Sequence, residues 1–461
     1  MTAPHLHRRH FLSRTGTGLG SLALGALLHR DLPAANAPAW RAIAPKARSV
    51  IFFHMTGAPS QLDLFDEKPV LRTYDRQLAP ESLFAGKRFS FLRGHPKLLG
   101  SPYQFHRHGR SGLPLSELLP QLGTVADELC LVKSLHTTEF NHGPAQLFFH
   151  TGVNRQGNPS LGSWTTYGLG SDSENLPAYV VFLSGNTPGA GASLWKSGFL
   201  PSVHQGVQLR GEGDPVLFLN NPADVTRTER RRTLDHIEAL NRQHLESVGD
   251  PEIITRIEQY EMAFRMQASV PDLIDLSSEN AATRQRYGKG EFATQCLHAR
   301  RLVERGVRFV ELFHGDWDTH ASQKDRLSAL TKEVDQPIAA LIADLRQRGL
   351  LDQTLVVWGA EFGRTPMLQG DESPGKCGRD HQKDAFSVWL AGGGVQGGIS
   401  HGTTTELGNA VAENPVQVRD LHATLMHLLG IDHKTLTYRY QGFDQRLTGV
   451  EEARVIRELL S

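Results

Sequence analysis

Short apolar runs alternate with longer amphipathic segments through the C-terminal half of this 461-residue chain. The runs at 307–313, 354–358 and 386–390 are rich in β-branched and aromatic residues, which is typical of buried strands. Between the first two runs lies a segment whose apolar residues recur at spacings of three and four, the spacing of one helix face. Strands that alternate with helices predict a doubly wound α/β fold, a mainly parallel sheet with helices on both faces.

The N-terminal half carries the same signals less regularly. The runs at 49–53 and 129–134 predict two further strands, and residues 141–151 have the apolar spacing of a helix. We also expect a helix over residues 113–123. No internal repeat or low-complexity linker interrupts the chain, so we expect one large domain over residues 38–461.

The first 37 residues have the order of parts expected of a twin-arginine signal peptide. Arg8 and Arg9 precede an uncharged Gly/Ala/Leu stretch at 15–28, and Ala35-Asn36-Ala37 supplies a small-x-small cleavage pattern. The stretch is shorter than the roughly twenty residues that a membrane span needs. We predict that residues 1–37 direct export by the twin-arginine route. The mature protein would be periplasmic or extracellular, without a transmembrane span. The alternative is a disordered basic arm ahead of the domain.

Charge and cysteine content exclude several classes of protein. Lysine and arginine together number 49, as do aspartate and glutamate, so the chain has no net charge with which to attract nucleic acid. The three cysteines, Cys130, Cys296 and Cys377, are too few and too unevenly spaced for a disulfide framework. The composition therefore predicts no nucleic-acid partner and no thiolate metal site.

Carboxylates and imidazoles directly follow or precede the predicted strands. Ligands of open α/β sheets bind outside the carboxyl ends of the strands, so we expect these side chains to collect at one edge of the sheet. Oxygen and nitrogen ligands of this kind suit Zn, Mn, Fe or Ca. The sequence therefore predicts a divalent-metal site at this edge. Its six candidate ligands are Asp63, Asp318, His320, Glu361, Asp380 and His381.

Structural alternatives remain open for three of these carboxylates. Asp318 is also placed to cap the helix that follows it, and Asp63 to cap the turn that begins near Ser60. Glu361 follows a buried strand directly, and a buried carboxylate must be paired, protonated or bound to a metal. Its alternative partner is Arg364, in a structural salt bridge.

Three further residues are candidates for the chemistry itself. His142 lies at the start of a predicted helix, whose first backbone N–H groups could hold an anion. The competing interpretation makes Asn141 a simple N-cap of that helix. Arg364 and Arg379 lie close in sequence to predicted ligands and would clamp an anion bidentately.

Six motifs occur in order along the chain. They are Thr56-Gly-Ala-Pro-Ser-Gln-Leu-Asp63, Asn158-Pro-Ser-Leu-Gly-Ser-Trp164, Trp317-Asp-Thr-His320, Gly359-Ala-Glu-Phe-Gly-Arg-Thr-Pro366, Gly378-Arg-Asp-His381 and Ala391-Gly-Gly-Gly394. Together they resemble an exported bacterial family catalogued as domain of unknown function 1501, and the resemblance covers nearly the whole chain after residue 37. That family is similar to the alkaline phosphatase superfamily, which includes sulfatases, phosphatases and phosphomutases. The resemblance implies a doubly wound sheet with one or two metals at the C-terminal ends of its strands.

The chain departs from the superfamily pattern at the nucleophile. No cysteine has a proline two residues later, so the formylglycine motif of sulfatases is absent. The superfamily nucleophile normally lies just before a helix that ends in Thr-Gly, and here Asn141 and His142 stand at that position. Glu361-Phe362 stand where the superfamily usually has an Asp-His pair. The resemblance therefore implies the fold and a metal site without supplying a side-chain nucleophile.

These observations predict an exported, metal-dependent hydrolase of sulfate or phosphate esters, with an anionic ester or polysaccharide as its substrate. The alternative is a non-catalytic binding protein on the same fold, for an envelope partner or an anionic polysaccharide. The missing nucleophile favours this alternative. The sequence leaves the identity of the metal, the substrate and the oligomeric state open.

Overall fold

The computed structural model of the chain describes residues 38–87, 89–210, 215–216, 220–222, 224–250, 252–373 and 375–461. The signal-peptide prediction falls on residues 1–37 and lies outside the described residues. No helix among the residues that the structure describes is long and apolar enough to cross a membrane.

Helices and strands alternate along the chain. The α-helices are α1 Gln61–Leu64, α2 Pro69–Thr73, α3 His142–Thr151, α4 Leu161–Leu169, α5 Arg227–Val248, α6 Glu252–Ile274, α7 Ala281–Tyr287, α8 Glu291–Glu304, α9 Gln323–Gln347 and α10 Val418–Leu428. The strands are β1 Ser49–Met55, β2 Phe105–His108, β3 Leu113–Ser116, β4 Leu129–His136, β5 Tyr179–Ser184, β6 Val207–Gln208, β7 Phe309–His314, β8 Thr354–Gly359, β9 Gly363–Gln369, β10 Gly378–Gln382, β11 Phe386–Ala391, β12 Ile399–His401, β13 Thr403–Thr404, β14 Val411–Glu413, β15 Val416–Gln417, β16 Tyr438–Tyr440 and β17 Phe443–Gln445.

One large sheet organises the protein. Its strand order is β12-β4-β11-β8-β1-β7-β5-β6, and β15 also pairs with β4. The pairs of β1 with β7 and β8, and of β5 with β6 and β7, are parallel. Only β11 runs antiparallel to its two neighbours, β4 and β8. The predicted mainly parallel sheet is confirmed.

The central strand β1 shows how the sheet is covered on both faces. All seven of its residues are buried, as expected for a strand in the middle of a two-sided α/β layer. Ile51, Phe53 and Met55 belong to one hydrophobic core, with residues of α8 and α9. Val50 and Phe52 belong to the other, with residues of α3, α4 and α10. This alternation follows from the period of two in a strand and confirms the doubly wound arrangement.

The edge at which the parallel strands end is the edge that positions the site. Met55 of β1 pairs with His314 of β7, and His54 pairs with Gly359 of β8, so these three strands end side by side. Because β11 is antiparallel, the residues before its first residue, Phe386, reach the same edge. The hairpin of β9 and β10 lies between β8 and β11 in the chain and pairs outside the main sheet.

The helix predicted over residues 113–123 is wrong. Leu113–Ser116 forms β3, which pairs antiparallel with β2, and a 3-10 helix follows only at Leu122–Glu128. Leu113 and Leu115 are buried while Pro114 between them is partly exposed, which is the period of a strand.

Candidate metal centre

Three histidines and one aspartate converge at the carboxyl edge of the sheet. One ligand atom from each of His142, Asp318, His320 and His381 lies within 4.8 Å of all the others. Asp318 Oδ1 is at the centre, 2.8 Å from His320 Nε2, 3.3 Å from His142 Nε2 and 3.5 Å from His381 Nε2. Among the described residues, no other group of three or more His, Cys, Asp or Glu side chains converges in this way.

Separate segments of the fold deliver the four side chains. Asp318 and His320 lie on the loop between β7 and α9, His142 is the first residue of α3, and His381 lies on β10. The His381 side chain is only 4% exposed, whereas that of Asp318 is 41% exposed. The cluster is therefore closed at its His381 side and open to solvent at its Asp318 side.

Each histidine of the cluster is held through its other ring nitrogen. The acceptors are Glu361 Oε1 for His142 at 2.7 Å, Gln369 Oε1 for His320 at 2.7 Å and the Phe140 carbonyl oxygen for His381 at 2.8 Å. An oxygen acceptor keeps a proton on Nδ1, so Nε2 is the nitrogen that faces the cluster and can bind a cation once it is deprotonated. This is the arrangement that orients metal-ligating histidines in proteins.

The Nε2 atoms of the cluster face Asp318 and one another. His142 Nε2 is buried, and it lies 3.3 Å from Asp318 Oδ1. His320 Nε2 and His381 Nε2 lie 3.0 Å apart, so two lone pairs face each other when both Nδ1 atoms carry the protons. A cation between these atoms would satisfy all of them. Three imidazole nitrogens and one carboxylate oxygen fit Zn, Mn or Fe, whereas Ca binds through oxygen ligands and fits this donor set less well.

The pKa values of the cluster histidines are shifted in opposite directions. Burial lowers the pKa of His381, and the charges of Arg364 and His142 lower it further. Burial alone would lower the pKa of His142, but hydrogen bonds to Asp318 and Glu361 outweigh it and raise the pKa to about 9. Burial would likewise raise the pKa of Asp318, but hydrogen bonds from His142, His320 and His381 hold it well below its ordinary value. The carboxylate is therefore ionised and available to a cation.

Arg364 holds Asp318 in place. Its Nη2 donates to Asp318 Oδ1 at 2.6 Å, and its side chain is completely buried. The other donors go to backbone carbonyls, those of Ala58 at 2.8 Å, Arg379 at 3.1 Å and Gly57. All three guanidinium nitrogens are thus committed inside the protein, and Arg364 positions a cluster residue rather than presenting itself to a bound anion.

Gly57 allows this close packing. Its φ of +106° lies in the region that glycine alone adopts without strain. A Cβ atom at this position would overlap the backbone nitrogen of Asp318. Its own N–H donates to Glu361 Oε1 at 3.1 Å. The turn after β1 therefore ties the Asp318 loop to the end of β8.

Glu361 is a fully buried carboxylate that supports the cluster from behind. Its Oε1 accepts hydrogen bonds from His142 Nδ1 and from Gln146 Nε2 at 3.1 Å, and its Oε2 lies 3.2 Å from His54 Nε2. Burial would raise its pKa, but the hydrogen bonds and charges of His142 and His54 hold the pKa well below its ordinary value. Glu361 is not paired with Arg364, the structural alternative considered above. Its role as a direct ligand stays a prediction, and in the structure it contacts the cluster through His142.

A buried line of polar side chains continues from Glu361 into the sheet. His54 Nδ1 lies 3.1 Å from His150 Nε2, and His150 Nδ1 lies 2.9 Å from Glu311 Oε1. Tyr179 donates its hydroxyl hydrogen to Glu311 Oε2. Sequence reasoning missed this line. Its signal was Glu311 in the middle of an apolar strand, since a buried carboxylate requires partners.

Asp63 and Arg379, predicted as a ligand and an anion clamp, form an ion pair outside the four-residue cluster. Both are completely buried, and Arg379 Nε donates to Asp63 Oδ2 at 2.8 Å. Gln323 Nε2 donates to the same oxygen at 2.6 Å. Burial would raise the pKa of Asp63, but the charge and hydrogen bonds of Arg379 outweigh it and lower the pKa. The other donors of Arg379 go to the carbonyls of Leu99 and Thr365.

Asp380 is the remaining predicted ligand, and it too lies outside the cluster. Its Oδ2 accepts from the backbone N–H groups of Phe91 at 2.7 Å and Leu92 at 2.9 Å. Its Oδ1 accepts from the N–H of His381 at 2.8 Å. Asp380 therefore anchors a segment near residue 91 to β10, beside the cluster.

Changing Glu361 to glutamine is expected to weaken metal affinity about 10- to 100-fold without removing a ligand atom of the cluster. Glutamine keeps the size of the side chain but removes the negative charge that orients His142. Competition with a chromophoric chelator measures the affinity. Glu238→Gln, a substitution on exposed α5, is the matched control and should leave the affinity unchanged. Equal affinities for the Glu361 variant and the wild type would contradict this role.

One sequence family accounts for nearly all of the described chain. A family model described as "Protein of unknown function (DUF1501)" matches residues 47–460. The chain belongs to the DUF1501 family. No curated protein matches it in sequence. The predicted family membership is confirmed.

Solved structures that resemble this DUF1501 protein share little sequence with it. The lipoteichoic acid synthase LtaP from Listeria monocytogenes is 10% identical, with 90% of this chain and 80% of that chain covered and a TM-score of 0.34. A protein in the alkaline phosphatase superfamily from Vibrio parahaemolyticus is 9% identical, with coverages of 86% and 70% and a TM-score of 0.37. The PsFucS1 sulfatase from Pseudoalteromonas sp. is 12% identical, with coverages of 83% and 68% and a TM-score of 0.36. At these scores the likeness supports no inference about activity.

The DUF1501 motifs contain most of the cluster. Asp318 and His320 lie in the motif that begins at Trp317, and His381 ends the motif that begins at Gly378. His142 lies where the superfamily resemblance placed the nucleophile.

Proposed function

We propose that this DUF1501 protein is an exported, metal-dependent hydrolase of sulfate or phosphate esters. The observation that carries the proposal is the convergence of three Nε2 atoms and one carboxylate oxygen, with each imidazole tied to an oxygen acceptor through Nδ1. His142, Asp318, His320 and His381 would hold the ion. A divalent ion at this place would supply Lewis acidity towards an ester oxygen and towards water.

The start of α3 supports an anionic substrate. The first N–H groups of a helix have no partner within the helix, and the helix dipole adds partial positive charge there. The ten-residue helix α3 begins at His142 itself, and the side chain of its N-cap residue, Asn141, makes no capping hydrogen bond. A sulfate or phosphate group at the cluster would therefore lie beside a favourable helix terminus.

The proposal contains no arginine clamp. The sequence analysis assigned that task to Arg364 or Arg379, but both are completely buried and their nitrogens donate to carbonyl oxygens and to Asp318 or Asp63. The anionic charge would instead be met by the cluster and by α3. Because Asn141 and His142 offer no hydroxyl or thiol, the proposed attacking group is water that enters from the exposed Asp318 side.

Elemental analysis of the mature protein, purified without chelator and without a metal-binding tag, tests the proposal first. We expect a near-stoichiometric content of Zn, Mn or Fe, and turnover of some members of a panel of sulfate and phosphate esters. Removal of the ion with a chelator should abolish turnover, and adding it back should restore turnover. A stable protein that contains no metal and hydrolyses no ester would contradict the proposal and favour the non-catalytic binding protein.

The exported part of the proposal rests on residues 1–37 of the sequence alone. We expect a variant with Arg8 and Arg9 both changed to lysine to stay in the cytoplasm, because the paired arginines are what the twin-arginine route requires. Cell fractionation and immunoblotting measure this. Export of the variant at the wild-type level would contradict the assigned route.

A further inference from the structure

Phe91 is a large apolar side chain that stands exposed at the mouth of the cluster. Its side chain is 54% exposed. Its ring centroid lies 4.5 Å from that of His320 and 5.9 Å from that of His381, both in edge-to-face geometry. The ring therefore contacts two of the four cluster residues while much of its surface still faces solvent.

The backbone around Phe91 is fixed in place. Asp380, which is completely buried, accepts the N–H groups of both Phe91 and Leu92. The preceding residue, Ser90, has its hydroxyl 3.2 Å from His381 Nδ1. Asp380 therefore fixes the backbone of this segment rather than joining the cluster. The contacts hold an exposed aromatic ring at a defined position beside the candidate ligands.

A groove of about 220 Å³ continues from Phe91 away from the cluster. Gln369 forms part of its wall and also accepts the Nδ1–H of His320, so the groove and the cluster share a side chain. Its other walls include Arg93 and the ion pair of Lys97 with Glu372, whose charged atoms lie 2.6 Å apart. An aromatic ring followed by polar side chains suits a ligand with one flat apolar face and several polar groups.

We propose that Phe91 is the wall against which a ring-shaped leaving group stacks, so that this site takes esters of sugars or phenols in preference to esters of linear alcohols. The inference rests on the proposed hydrolase function and names its substrate class. A ring on the ester oxygen would lie against Phe91 while the anionic group meets the cluster. Aromatic rings in offset-stacked or edge-to-face contact gain stabilisation beyond the area they bury. A sugar or phenol ring is also rigid, whereas a flexible chain must be ordered when it binds.

The test compares ring and chain esters in the metal-loaded protein. The probes are phenyl esters, 6-O-esters of methyl glucoside and n-hexyl esters. Each is tested as the sulfate and as the phosphate. Calorimetry gives the dissociation constants, and steady-state assays give KM and kcat. We expect Phe91→Ala to raise both the KM and the Kd for ring esters about 3- to 10-fold and to leave kcat unchanged. The KM and the Kd for the n-hexyl esters should change by less than about twofold.

Two further variants control the test. Phe91→Trp keeps an aromatic wall and should retain the preference for ring esters. Phe443→Ala removes another exposed phenylalanine, 69% exposed on the β16–β17 hairpin, and should change nothing. Metal content and the unfolding midpoint should be the same in every variant, because both side chains are exposed. Equal effects of Phe91→Ala on ring and chain esters, or no effect on ring esters, overturn the inference.

The outcomes separate this inference from the proposed function. A wild-type protein that prefers ring esters in calorimetry through Phe91, yet hydrolyses none of them, refutes the hydrolase and supports the role of Phe91. A protein whose hydrolysis of ring esters is indifferent to Phe91 supports the hydrolase and refutes the inference. The sugar and phenyl arms show which ring alcohol the wall accepts better.

Discussion

Changing Asp318 and His320 to alanine together is expected to abolish metal binding and hydrolysis. The fold should be retained at reduced stability, because the buried Arg364 loses its carboxylate partner. The pair supplies two of the four converging ligand atoms, including the only carboxylate oxygen. Loss of a single supporting hydrogen bond to a ligand typically costs 10- to 100-fold in metal affinity, so we expect a loss of more than about 100-fold. Elemental analysis gives the metal content. Thermal unfolding with added ion gives a second readout, since the wild type should gain about 2.7 kcal/mol at an ion concentration 100 times its Kd.

Asp316→Asn is the matched control for the double variant. Asp316 lies on the same loop and bonds Asn186 rather than the cluster. It has a φ of +72°, which asparagine tolerates. We expect this variant to keep its metal and its stabilisation by the ion. If the double variant also kept both, the cluster would be a structural network and the proposed mechanism would be wrong.

Changing Arg379 to methionine is expected to destabilise the protein by about 3–5 kcal/mol. The substitution removes the partner of Asp63 and leaves a completely buried carboxylate without its cation. Denaturation in urea measures the free energy of unfolding. The double variant Asp63→Leu with Arg379→Met should recover part of the loss, because it removes both buried charges. Asp352→Asn breaks an exposed ion pair with Arg346 and should cost less than about 1 kcal/mol.

The same ion pair predicts a pH dependence of known sign. The pKa of Asp63 is lower in the folded protein than its unfolded value of about 3.9. Its contribution to stability is therefore fully present above about pH 3.9 and is lost as the pH falls through the lower folded pKa. The difference in unfolding free energy between wild type and Asp63→Asn should narrow below about pH 3.9. A difference that stayed constant down to pH 2 would contradict the assignment.

The fold could be predicted from local sequence because buried strands of an α/β sheet are short apolar runs. The strands at 307–313, 354–358 and 386–390 were located to within a few residues. The direction of the last one could not be predicted, since an antiparallel strand such as β11 has the same composition as a parallel one. The direction of β11 matters for the site, because an antiparallel β11 places the residues before Phe386 at the carboxyl edge of the sheet.

Part of the candidate site could also be predicted from the positions of strand ends. That rule led to Asp318, His320 and His381, which the structure brings together. It could not separate them from Asp63 and Asp380. Carboxylates at similar places in the sequence differ only in their neighbours in space. Here those neighbours are an arginine for Asp63 and three backbone N–H groups for Asp380.

Of the groups that orient the histidines, only Glu361 carries a sequence signal. From sequence, His142 is a candidate for anion binding or catalysis rather than a predicted ligand, because it lies at the start of a predicted helix. Gln369 and the carbonyl of Phe140 are ordinary residues until the chain is folded. The sequence predicts Glu361 as a direct metal ligand. In the structure Glu361 contacts His142 Nδ1, and that contact depends on the folded arrangement of β8 and the start of α3.

The bond between His381 and the carbonyl of Phe140 joins residues 241 positions apart. A chain still emerging from the ribosome therefore cannot assemble this cluster until more than four-fifths of it has been made and the β9–β10 hairpin has formed. Contacts of such long range form late in folding, after the loop-closure entropy has been overcome. Binding of the proposed ion by all four side chains would therefore require a chain that extends at least to His381, and shorter chains would lack a complete site.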